Sequence, residues 1–183
     1  MKPFLLLVAL FGLGACSRSE PDVNARNASV AEVAQQVRDA TNEPGFIKPG
    51  KWLSSVTMED VSAPGMPPQV REQMQGMLAE RQAYESCLTP EEAKRPKEDF
   101  FVSKDNSCRY EHFTMGGGKI DARMNCSQEG MKQVMNLNGS YSPDTYKMTM
   151  ETRMQGGPAA MSGMSMRMRV DAKRVGECEA KQS

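Results

Sequence analysis

The chain has 183 residues, with 23 Lys and Arg balanced by 23 Asp and Glu and a single histidine. A chain without net charge has no long-range field to gather nucleic acid or an anionic surface, so partners of that kind are not implied. Its compositional marks are five cysteines and 16 methionines.

Lys2, an apolar run over residues 4–13 and the small pair Gly14-Ala15 before Cys16 have the layout of an export signal. The run is shorter than the roughly 20 residues that cross a bilayer, so residues 1–15 are expected to be removed. Leu13-Gly14-Ala15-Cys16 also resembles a bacterial lipobox, in which Cys16 takes a diacylglycerol thioether and becomes the acylated first residue. Ser17 rather than Asp at the sorting position favours an outer-membrane anchor facing the periplasm. The expected organisation is a signal over 1–15, a lipid-anchored polar tether over 16–48 and a disulfide-bonded β-domain over 49–183.

Within the tether, residues 29–40 could form a short helix, with Ser29 and Glu32 as a capping box and Val30, Val33, Ala34 and Val37 on one face. After Pro49-Gly50, residues 51–61 alternate as a first strand that holds Trp52, Val56 and Met58 on one side. Pro64, Gly65, Pro67 and Pro68 break it. An amphipathic helix then carries Val70, Met74, Met77 and Leu78 on one stripe, expected to pack across the sheet. A short strand over 83–88 carries Cys87, and Thr89-Pro90-Glu91-Glu92 reads as an N-cap, an N1 proline and a reciprocating glutamate, giving one helical turn. In the charged connection that follows, Phe100-Phe101-Val102 is expected to tuck against the core.

Segment 108–126, CRYEHFTMGGGKIDARMNC, reads as one hairpin. With Gly116, Gly117 and Gly118 as the turn, Thr114 faces Ile120, His112 faces Ala122, Tyr110 faces Met124 and Cys108 faces Cys126. Opposed positions hold their Cβ atoms roughly 4.5–5.5 Å apart, close to what a disulfide requires. Four cysteines besides Cys16 in an exported chain imply two disulfides with three connectivities. The hairpin favours Cys108–Cys126, which leaves Cys87 with Cys178. Further strands over 131–138, 145–154 and 164–173 complete a meander. The expected fold is mainly β with minor α: a curved antiparallel meander sheet or incomplete barrel of about six or seven strands, crossed by one amphipathic helix.

Pro49-Gly50-Lys51-Trp52, Cys87-Leu88-Thr89-Pro90-Glu91, the hairpin and Arg174-Val175-Gly176-Glu177-Cys178 occur in that order, and the domain they mark resembles the family called domain of unknown function 3617. It is most similar to the exported proteobacterial lipoprotein members. The resemblance implies an exported β-rich domain with this cysteine framework. It transfers no catalytic residue, cofactor or partner.

The methionines are placed by parity. Met148, Met150 and Met154 share one face of a strand and Met164, Met166 and Met168 one face of the next, with Met150 facing Met168 and Met154 facing Met164 about a loop centred near Ala159. The leading expectation is a dry, soft core beneath Met74 and Met77, because methionine fills irregular gaps. The same face could hold an apolar guest, or Cu(I), for which thioethers are suited. Catalysis is not implied: His112 has no second histidine, no Gly-x-Ser-x-Gly is present, and Gly116-Gly117-Gly118 precedes a strand rather than the helix a phosphate cradle needs. The sequence thus points to a non-catalytic lipoprotein, without a cofactor, that binds an apolar ligand or an envelope protein. The alternative is a Cu(I)-binding or methionine-oxidation-sensing protein.

Overall fold

A computed structural model describes residues 22–41, 46–78, 82–94, 107–157 and 162–178. The strands are β1 (Val23–Ser29), β2 (Gly50–Ser62), β3 (Gln82–Leu88), β4 (Cys108–Gly116), β5 (Lys119–Gln128), β6 (Met131–Ser142), β7 (Thr145–Gly156) and β8 (Ser165–Gly176). The helices are α1 (Val30–Thr41), α2 (Pro68–Leu78) and α3 (Pro90–Lys94). All eight strands join one sheet in the order β1-β4-β5-β6-β7-β8-β2-β3, and every pairing is antiparallel. The expected mainly-β meander is present as β4 to β8. Among the described residues the strand count is eight rather than six or seven, and the sheet is open rather than an incomplete barrel, with β1 and β3 at its edges.

The extra strand comes from the expected tether. Residues 23–41 form β1 and α1, and their Val23, Ala25, Ala28, Val33, Ala34 and Val37 are buried in the main core. Ser29 caps α1 as the sequence proposes: its amide donates to the Glu32 carboxylate at 2.6 Å, and the Glu32 amide donates to Ser29 Oγ at 3.2 Å. That backbone hydrogen bond holds the Glu32 carboxyl below its usual range. The apolar stripe of α1 then lies over β1 and β4.

The helix expected to cross the sheet does not cover it. The main contacts of α2 are with β2, Val70 is 43% exposed, and Met74 is only partly buried. The periodicity of α2 is real, but its position between β2 and β3 keeps it beside its own strand, while α1 closes the core. Phe100-Phe101-Val102 lies outside the described residues.

The central hairpin turns on Gly117 and Gly118, whose φ values of +56° and +76° suit a two-residue turn with both central residues left-handed. Gly116 therefore belongs to β4 and pairs with Lys119, which shifts the nearby register by one residue. Phe113, not His112, faces Ala122, and Met115, not Thr114, faces Ile120. An irregularity between Tyr110 and His112 then absorbs one residue, Glu111, so that Tyr110 again faces Met124 and Cys108 faces Cys126.

Alternation divides the sheet into a wet and a dry side. On the wet side Arg167 bridges Glu59 at 3.5 Å and Glu151 at 3.1 Å, and Arg169 bridges Glu59 at 2.9 Å and Asp171 at 3.0 Å. On the dry side Tyr110 meets Phe113 edge-on with ring centroids 5.4 Å apart, and burial pushes the Tyr110 phenol up to about 12.

Phe113 is fully buried and Val70 is not. Phe113→Ala should cost about 3–5 kcal/mol in chemical denaturation, whereas Val70→Ala should stay within about 0.5 kcal/mol of the parent. A comparable loss for Val70→Ala would place α2 in the core.

Candidate functional site

The rim of the sheet where β2 begins and β3, β4 and β8 end is drawn together by loop contacts. The Lys48 amide donates to the Pro143 carbonyl at 2.9 Å, and Lys48 Nζ meets Asp144 Oδ2 at 2.8 Å. The Arg174 amide donates to the Asp144 carbonyl at 2.9 Å, and Arg174 Nε donates to the Pro49 carbonyl at 2.7 Å. Gly50 is required here: it has φ +138°, and a Cβ on it would stand 2.5 Å from the Gly176 carbonyl oxygen. This close approach turns Trp52 inward, to 2% exposure, with its indole N–H donated to the Lys48 carbonyl at 3.1 Å.

Beneath this rim lies an apolar cavity of about 320 Å³. Its floor is the dry face of the sheet, including Trp52, Met115, Ile120 and Met148. Val37 of α1 closes one side, and Leu88 of β3 with Glu92 and Ala93 of α3 closes another. The two helices touch. Phe46 packs on Tyr141 with centroids 4.8 Å apart, and Trp52 on Tyr146 at 5.7 Å. Burial raises both phenols above their ordinary value, although a hydroxyl contact from Ser54 at 3.4 Å partly opposes this at Tyr146. Among the described residues Glu92 is the sole charged one in the lining, and its carboxylate accepts the Thr89 amide at 3.1 Å while its own amide donates to Thr89 Oγ1 at 3.2 Å. Such a site can hold a compact apolar body with few polar groups.

The structure joins Cys87 to Cys178, with Cα atoms 5.5 Å apart, and Cys108 to Cys126, with Cα atoms 4.0 Å apart. They sit at opposite ends of the sheet. Cys87–Cys178 ties edge strand β3 past β2 to the end of β8, and Cys87 itself contributes to the cavity wall. Cys16 lies outside the described residues. His112 stands apart from the cavity and pairs with Asp121 at 2.7 Å.

The methionine face forms in the expected parity but not the expected environment. Met150 faces Met168 in the β7–β8 ladder, and Met154 donates its amide to the Met164 carbonyl at 2.8 Å. Met148, Met150, Met154, Met164, Met166 and Met168 all remain partly exposed, and of the six only Met148 packs against the main core cluster. Only Met148 of the six reaches the cavity. Among the described residues no group of three or more His, Cys, Asp or Glu could hold a metal ion. The cavity itself was missed because its walls come from the ends of elements far apart in sequence; the one local signal was Pro49-Gly50-Lys51-Trp52, which fixes its rim.

Fold and site define a disulfide-bonded antiparallel β-sheet protein with an apolar cavity under two helices. The chain belongs to the family described as protein of unknown function (DUF3617), whose model matches residues 47–178. No curated protein and no solved structure matches it significantly.

Non-reducing peptide mapping should return Cys87 with Cys178 and Cys108 with Cys126. Replacing Cys87 and Cys178 together by Ser should cost about 2–5 kcal/mol.

Proposed function

We propose that this protein is an exported, non-catalytic lipoprotein, anchored through Cys16 to the outer membrane on its periplasmic side, that holds an uncharged apolar ligand in the cavity. The observation that carries this reading is the lining: among the described residues it offers aromatic and aliphatic side chains, no cation, and one carboxylate already engaged by the Thr89 amide. Among the described residues no cation stands in the lining to meet the carboxylate of a free fatty acid, so a neutral lipid or hydrocarbon-like guest fits these walls better. His112, the single histidine, lies outside the lining, which favours binding over acid–base chemistry.

Placement supports the anchor. Val23 pairs with Met115, so the chain enters β1 at the cavity end of the sheet. Cys16 precedes Val23 by a span that reaches at most about 25 Å when fully extended. Acyl chains on Cys16 would hold the cavity close to the bilayer from which an apolar ligand could come.

Two measurements test the parts separately. An environment-sensitive naphthylamine probe should bind the purified protein saturably at one site, and Ala93→Phe, which fills the space between α3 and the sheet, should abolish binding without lowering the melting temperature appreciably. A probe that binds both proteins equally would remove the cavity from the function. For the anchor, Cys16→Ser should eliminate incorporation of labelled fatty acid. A wild-type chain that carries no such label, or that starts after a residue other than Ala15, would refute lipidation whatever the cavity does.

A further inference from the structure

The partly exposed methionines outside the cavity have an arrangement of their own. In the β7–β8 ladder Met150 pairs with Met168, and in the β2–β8 ladder Met168 pairs with Met58. Three thioethers therefore stand side by side in one row across three adjacent strands, all on the dry face. Neighbouring strands are about 4.8 Å apart, so Met168 has a thioether roughly one strand spacing away on each side. Three rotatable bonds let each sulfur swing toward the centre of the row. Met166 follows two residues along β8 on the same face.

The surroundings select the ion. The row is continued by Leu137 on β6 and flanked by Val56 and Val170, with no carboxylate, imidazole or thiolate among these neighbours. A divalent ion would bring two charges to ligands that carry none, whereas a soft monovalent ion brings one and prefers sulfur. Access is also provided. Among the described residues the β2–β3 ladder runs from Gly50–Leu88 to Val56–Gln82, short of Met58, and all three methionines are partly exposed.

We propose that Met58, Met150 and Met168 form a three-thioether site for Cu(I). The site is separate from the cavity and does not depend on the cavity being occupied. Thioethers carry no proton in the accessible pH range, so metal and proton do not compete, unlike at histidine or cysteine sites.

The test uses the purified disulfide-bonded protein, with Ag(I) in chloride-free buffer as the redox-stable probe and Cu(I) under ascorbate in competition with a chromogenic chelator. Native mass spectrometry should show one Ag(I) per chain. Met168→Leu, which preserves volume and apolarity, should weaken binding by about 100-fold, and Met58→Leu or Met150→Leu by at least about tenfold, no less than changes around a metal's ligands typically cost. Met131→Leu, at the far end of β6, should leave affinity unchanged, and so should lowering the pH from about 7 to about 5, across the usual histidine pKa. Apolar-probe binding in the cavity should survive Met168→Leu, so failure here and failure there are distinguishable. The proposal is overturned by the absence of a stoichiometric complex, by an affinity indifferent to Met168→Leu, or by release of the ion on acidification.

Discussion

An open antiparallel sheet with one apolar face has to be covered on that face and left wet on the other, and most of the architecture follows from that requirement. Its wet side is held in register by cross-strand ion pairs on β2, β7 and β8, individually weak in water but joined through Glu59, Arg167 and Arg169. Among the described residues the helices cover only part of its dry side. Helix α1 seals the half formed by β1 and β4, where Phe113, Val33 and Val37 are fully buried. Over the rest, the side chains of β6, β7 and β8 remain largely part-exposed, and between the two conditions lies the cavity.

The division has a sequence-level counterpart. The family match begins at residue 47, whereas β1 and α1 end at Thr41. The matched segment supplies the sheet from β2 to β8, both disulfides and most of the cavity lining. The preceding segment supplies the lid of the core and, at the cavity wall, Val37 and Phe46. A boundary drawn at residue 47 would thus separate a sheet from the helix that keeps half of its dry face out of water.

What was legible in the chain was whatever depended on short-range pattern. Two capping boxes, at Ser29 and Thr89, could be read residue by residue because their geometry is local. Strand parity placed the methionines correctly for the same reason. Burial was not legible, because whether Met150 is dry depends on which helix lies above it, and the apolar stripe of α1 read as a short helix in a tether while that of α2 read as the cover of the sheet. β1 was hidden by its composition: Val23, Ala25 and Ala28 break a two-residue alternation at Asn27, which adopts φ +46°. The hairpin shows the opposite compensation. Reading three glycines as the turn displaced the register, yet the irregularity at Glu111 restored it before the cysteines, so the disulfide partners agreed while the pairs nearer the turn did not.

The strand order also orders assembly in time. From β4 to β8 each strand pairs with its sequence neighbour across a short connection, so this block can close with little loop entropy. β1 must wait for β4, and β2 for β8, a partner more than a hundred residues later in the chain. During synthesis the N-terminal strands emerge first, and β2 has no β8 to pair with until residues 165–176 are made. Loop entropy therefore favours the meander as the template of the fold, with β2 and β3 joining at one margin and β1 and α1 at the other, and the cavity, which needs all three parts, cannot exist before they meet.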